Sequence, residues 1–389
     1  MRPHHAALAI ALLLGACGAR TGLRDPATDG VDSGSDDASA AAFCPARLEA
    51  VGSQQTIFGP TGFSPARIVM RSGGIDFVAR RDGPPLQVLA RRARLSAGQL
   101  VLTAQAQTIA SGGSGLVAAV SGEQLSICHV AYNGDPIRWD AYRGSYQRVG
   151  ERQLFSNGAY CTGLAYRGDR GMAAAHKKPP VGSGLSRPIV VDIGLDGSLK
   201  SPEQAALPAD DLAFVALDAY HSGFVWAGYA QSLGSMHVTF RPDAGATRTH
   251  DLPTSYAAQT IPVLVPASGD RVALSFNTSD TGARVVVIGE DGAVTLDRPI
   301  SHPGYRWVSS VSLAQTRCGL AIAYSRCPLD GDGTAHVSLL DASGAVSDTY
   351  VFGACSHVRI AAIDDHLVVG WNIDGRFEAR LLRLTPRQR

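Results

Sequence analysis

Beyond residue 43 the chain is a series of short apolar runs broken by Gly, Asp, Pro and Ser, and one run recurs seven times. Its copies begin near Ile75, Leu125, Met172, Val225, Val272, Leu320 and Leu367, at steps of 50, 47, 53, 47, 48 and 47 residues. Six of them end four residues later on an aromatic residue or His: His129, His176, Tyr229, Phe276, Tyr324 and Trp371; the first ends on Ala79. Most copies have an apolar companion before them, such as Gly115 to Val120, Val308 to Leu313 and His357 to Ile363. Most have another after them, such as Pro188 to Ile193, Met236 to Phe240 and Ala283 to Ile288. A turn follows with Gly at a fixed place, at Gly197, Gly245, Gly292 and Gly344, where a tight hairpin calls for positive φ. A more polar fourth run comes next, as at Ala293 to Leu296 and Ala345 to Val351. Helical 3.6-residue periodicity is missing, so the pattern predicts an all-β chain.

One unit is therefore four antiparallel strands in about 48 residues, too small to bury both of its faces alone. Stacking the units around an axis buries them and leaves only short edges, which predicts a seven-bladed β-propeller. Inner strands, sandwiched between blades, should be apolar on both faces, as Ile261 to Val265, Val285 to Ile288 and Leu367 to Val369 are. Outer strands should be polar, as Thr247 to His250 and Ser347 to Thr349 are. The last blade shows three strands before the chain ends. A segment between Cys44 and Phe58 is expected to supply its fourth and lock the ring. In this closure the chain resembles seven-bladed propellers in architecture, but no named repeat family. Trp139-Asp140 occurs once, paired Gly does not recur in kelch fashion, and Ser301 to Trp307 carries Pro303 where a sialidase box needs Asp. A pair of β-sandwiches, the competing fold, leaves the period unexplained.

The first residues have another character. Arg2 precedes an apolar run, Ala6 to Leu14, and then Leu14-Gly15-Ala16-Cys17. The run is too short to cross about 30 Å of hydrocarbon. The segment resembles the lipobox of bacterial lipoproteins. That resemblance implies removal of residues 1–16 and attachment of a diacylglycerol to the Cys17 thiol, with further acylation of the new amino group. Two or three acyl chains anchor stably where one is marginal. Gly18, where Asp would retain a lipoprotein at the inner membrane, implies a lipid anchor in the outer membrane of the cell envelope. Residues 17–42 form the lipidated Cys and a linker. From Asp25 to Ala42 it holds five Asp and no aromatic, too polar to fold. Residues 43–389 are the propeller domain.

Composition narrows the chemistry. Net charge is +1 with the signs interspersed, and no basic stripe marks a nucleic-acid partner. Of seven cysteines, Cys17 is assigned to lipid. The other six fit up to three disulfides in an exported protein. Cys327 follows the second strand of blade six and Cys355 precedes blade seven, on the same face, so Cys327–Cys355 is the preferred bridge. Cys318–Cys327 is disfavoured, since the pair stands about 30 Å apart along one strand. No zinc spacing, His-Glu-x-x-His, nucleophile elbow, phosphate loop or dinucleotide fingerprint occurs, so neither metal nor cofactor is assigned. His129 and His176 read as packed blade residues. His221, His237, His302, His336, His357 and His366 are scattered. Asp330-Gly331-Asp332-Gly333 reads as a solvated turn rather than a calcium loop. Tyr132, Trp139, Tyr142, Trp226, Tyr305 and Trp307 are expected between blades rather than on a rim. The preferred function is a noncatalytic binding or scaffolding module, monomeric and held at the membrane by its lipid, that engages an envelope protein or polysaccharide. The alternative is an envelope hydrolase or lyase acting on polysaccharide or peptide in the central pocket. Acids, His and Arg converging on the axis would favour the enzyme.

Overall fold

The computed structural model describes residues 46–386, apart from 61–65, 84, 132–134, 157, 178–186, 208–214, 231–232, 254–261, 279–281, 301–307, 327–333, 342 and 355. All regular structure among the described residues is β-strand, in seven antiparallel sheets. The recurring run is the second strand of every blade: Gly74–Arg81, Gln124–Val130, Arg170–Lys177, Gly223–Ala230, Arg271–Thr278, Gly319–Arg326 and His366–Ile373. Each start read from the sequence falls within two residues of the observed one.

The inner strands are Arg67–Arg71, Ser114–Ser121, Gly158–Arg167, Val215–Tyr220, Val263–Pro266, Val308–Thr316 and Ser356–Ile363. Third strands such as Gly282–Gly289 carry β-branched residues on both faces, which suits a pleated strand covered on both sides. Val285, Val286, Val287 and Ile288 are all buried there. The core is split into seven clusters, one at each junction between neighbouring blades. No cluster belongs to one blade, which is why one blade cannot fold alone.

Ring closure follows the expected route. Ala46–Phe58 pairs antiparallel with Arg376–Pro386 as the fourth strand of blade seven, from Ala46 opposite Pro386 to Phe58 opposite Phe377. Its side chains enter both flanking junctions: Ala46 and Leu48 pack towards blade six, Ile57 and Phe58 towards blade one. Leu48 N–H also donates to Asp348 Oδ2 on blade six at 2.7 Å.

Two outer strands depart from the repeat. In blade one the third strand, Gln87–Ser96, pairs at one end with Gln99–Leu102 and at the other with Gln107–Ser111. In blade three the outer strand is only Gln204–Ala205. Blades two and three are joined by a disulfide from Cys128, on a second strand, to Cys161, on the next inner strand, with Cα atoms 6.0 Å apart. The sequence did not single out this pair.

Candidate functional site

Cys17, Cys327 and Cys355 lie outside the described residues, as do Asp330-Gly331-Asp332-Gly333, Tyr132, Tyr305 and Trp307. Trp139, Tyr142 and Trp226 are buried between blades as expected. So are the strand-end residues His129, His176, Tyr229, Phe276, Tyr324 and Trp371.

Several buried polar groups resemble catalytic sets and need sorting. His129 Nε2 lies 2.8 Å from Asp140 Oδ2, both buried within blade two. Asp76, fully buried, faces Arg71 Nε at 2.9 Å, Arg92 Nε at 3.1 Å and the Tyr146 hydroxyl at 2.8 Å. Arg71 continues to the carbonyls of Glu123 and Gly144, on two hairpins of blade two. Burial pushes the Asp76 carboxyl up from 3.8 to about 6, against the pull of Arg71 and the Tyr146 hydrogen bond. This cluster pins blade one to blade two and closes its carboxylate from solvent: Asp76 and the Arg71 side chain are fully buried, and only Arg92 reaches the surface.

Ser235, His237 and Asp251 stand in the order of a hydrolase triad. Ser235 Oγ is 3.0 Å from His237 Nε2, and His237 Nδ1 is 2.6 Å from Asp251 Oδ1. The second contact is out of line for a hydrogen bond, and the Asp251 carboxylate is 65% exposed. A working triad has the reverse arrangement, with its carboxylate buried and aligned on Nδ1. Blade six repeats the first half, Thr334 Oγ1 to His336 Nε2 at 2.9 Å, with Val351 across from His336 in place of an acid. The motif is a hydroxyl cap on a packed histidine at the start of a third strand.

The axis is lined by the inner strands. Their buried polar side chains include Arg67, Asp218, Ser312 and Arg359. Arg67 donates to the Leu116 carbonyl of the next blade through Nε and Nη2. Asp218 Oδ1 accepts from the Ala219 N–H, Ser312 Oγ from the Ile360 N–H, and Arg359 Nη1 donates to the Val358 carbonyl. Burial first, and then Arg359, lower His357 to about 4, so its imidazole is uncharged at neutral pH. Among the described residues, Asp218 is the one carboxylate on the seven inner strands.

Open volume lies between blades at two places among the described residues. A groove of about 490 Å³ separates blades two and three, with Arg143, Glu151 and Arg152 on one wall and Leu195 and Asp196 on the other. A second, of about 360 Å³, separates blades four and five, with Arg248 facing Arg271, Glu290 and Asp291. Both flank the turn between third and fourth strands of the later blade. In both, the turn glycine rests on a ring of the earlier one. A Cβ on Gly197 would stand 2.4 Å from Trp139, and on Gly292 2.6 Å from His250. The turn aspartate is preorganised: Ser198 donates to Asp196 through Oγ and N–H and holds its carboxyl below the usual range. Asp291 accepts from the Ala293 N–H. At the equivalent junction of blades five and six the space is crossed, since Arg298 donates to the Ser343 carbonyl at 3.1 Å. No pattern along the chain marks these grooves, because each draws its walls from two blades.

No protein-family profile matches the chain, and no curated protein matches its sequence. Its likeness is to solved structures, 550 of which match. A prolyl endopeptidase is similar at a TM-score of 0.50 and 13% identity over 81% of this chain, which spans 45% of that enzyme's length. A protein of Bacteroides fragilis assigned as a 6-phosphogluconolactonase gives 0.50 and 12%, covering 74% of this chain and 84% of that one. A lectin of Aleuria aurantia, solved with an α-methyl-L-fucoside, gives 0.50 and 10%, covering 77% and 96%. Proteins so unlike in activity share the architecture alone with this chain.

Proposed function

We propose that this protein is an envelope lipoprotein, anchored through Cys17, whose propeller is a noncatalytic module that binds ligand in its interblade grooves. The observation that carries this reading is the axial wall. Its polar side chains are engaged by their own and neighbouring blades, and the described inner strands carry one carboxylate, Asp218, where glycoside cleavage calls for two. The grooves, by contrast, are open, charged and of a size that binds small ligands, about 300 to 1,000 Å³. The 17–42 linker supports the reading too, since a polar tether holds a domain off a bilayer.

Two measurements test it. Labelled fatty acid should enter the mature protein and be lost in Cys17→Ala, which should also leave the membrane fraction; unlabelled wild-type protein would remove the anchor. Immobilised mature protein should retain one stable protein or glycan from envelope extracts without altering it. Turnover of an envelope polymer by the pure protein would overturn the noncatalytic reading.

A further inference from the structure

Resting on that binding reading, we infer that the two grooves are paired sites for short neutral saccharides. The first observation is that both signs of charge line each groove. The blade two–three groove sets Arg143 and Arg152 against Glu151 and Asp196; the blade four–five groove sets Arg248 and Arg271 against Asp270, Glu290 and Asp291. An anionic ligand meets carboxylates in either groove, and a cationic one meets arginines. A neutral polyol is served by both, because each hydroxyl donates to a carboxylate and accepts from a guanidinium.

The second observation is the apolar part of the larger groove. Val149 is 49% exposed there and stands with Leu195 beside the charged groups. A sugar ring has this same division, hydroxyls at its edge and C–H groups on its face. Trp139 is fully buried and forms the floor rather than a stacking platform. It is held by its indole N–H to the Tyr166 hydroxyl at 2.7 Å, and Gly197 lies against it, so the floor is rigid before ligand arrives. Rigidity of this kind lowers the ordering cost of a weak, polar ligand.

The third observation is recurrence with a difference. The same turn recurs in blade six, where Gly344 packs on Leu296 and Arg298 bridges to Ser343. The fold thus does not leave a groove at that place by necessity. Two sites on one rigid ring gain avidity for a polymer whose repeat spans them.

The test uses the mature chain on a printed panel of neutral hexose, deoxyhexose and N-acetylhexosamine oligosaccharides, with sulfated and sialylated oligosaccharides beside them. Neutral members should bind, and titration of the best should give two equivalents per chain. Arg152→Ala, at an exposed position in the larger groove, and Ala293→Trp, which fills the smaller one, should each remove one equivalent. Together they should weaken retention on the polymer at least tenfold. Retention of acidic members only, or binding unchanged in the double variant, would overturn the inference. No saccharide bound, with a protein partner recovered from envelope extracts, would sink the ligand class and leave the binding module standing. No partner of either kind would remove both.

Discussion

Gly197 shows how much one residue of the repeat must satisfy. Its φ of +73° is open to Gly and strained for a side chain, and the Cβ of any other residue would drive into Trp139. The indole cannot step aside, because it is fully buried and bonded to Tyr166. Gly197→Ala should therefore cost about 2 to 4 kcal/mol, summing left-handed strain and overpacking. Urea unfolding reads this directly, and a loss below 0.5 kcal/mol would contradict the packing. The turn glycines were legible at this scale because φ > 0 leaves a mark in the sequence; their second role, against the preceding blade, was not. Asp76 was illegible altogether. Its partners, Arg71, Arg92 and Tyr146, come together only when blades one and two dock. In the unfolded chain Asp76 titrates near 3.8 and in the folded protein near 6, so between those values the folded state holds a proton the unfolded state has lost. Stability from this group falls as pH rises from about 4 to about 6 and is level above. Asp76→Asn should flatten that slope. Arg71→Met should cost about 2 kcal/mol at pH 7, taking one of two guanidiniums from a buried carboxylate that keeps Arg92 and Tyr146, and less at pH 4.5, where the carboxyl is neutral. Urea midpoints at the two pH values decide both.

Second and third strands were the readable elements, because burial on both faces writes continuous apolar runs. Outer strands carry water on one side and answer to no such rule. Hence the divided edge of blade one and the two-residue Gln204–Ala205 were not foreseen. Disulfide pairing is a property of docked elements as well. Cys128–Cys161 closes a separation of 33 residues, worth about 3 to 4 kcal/mol by loop entropy, so the Cys128→Ala/Cys161→Ala double variant should lose that much against urea. Cys318 is disulfide-bonded too and packs in one cluster with Ala46 and Leu48. Arg326 and Ala354, which precede Cys327 and Cys355, both lie opposite Thr334, at the far end of blade six from Gly319. Non-reducing peptide maps should therefore join Cys318 to Cys44, two positions ahead of Ala46; a Cys318–Cys327 peptide would refute the strand register.

The ring as a whole was legible from its period, and its closure from simple subtraction: six full blades and one short of a strand. The grooves were not, since Arg143 and Asp196, or Arg248 and Glu290, share no sequence pattern and meet only across a junction. Closure makes its own prediction at this scale. Removing residues 46–58 strips the partner from Arg376–Pro386 and side chains from two junctions. An unpaired edge seeks another strand. The truncated protein should self-associate in sedimentation or lose its cooperative unfolding transition, and a stable, cooperative monomer would show that the closing strand is dispensable.

The pairing of Ala46 with Pro386 also sets an order of events. A chain delivered from its N-terminus offers Ala46–Phe58 long before its partner, Arg376–Pro386. Until residues 376–386 arrive, the strand that seals the molecule has nothing to pair with, while six blades stack beside it. Bringing the two ends together across so long a loop costs about 5 kcal/mol of chain entropy, and the return comes only at the final step. Settling of Ala46–Phe58 therefore waits on Arg376–Pro386, the strand that arrives about three hundred residues after it.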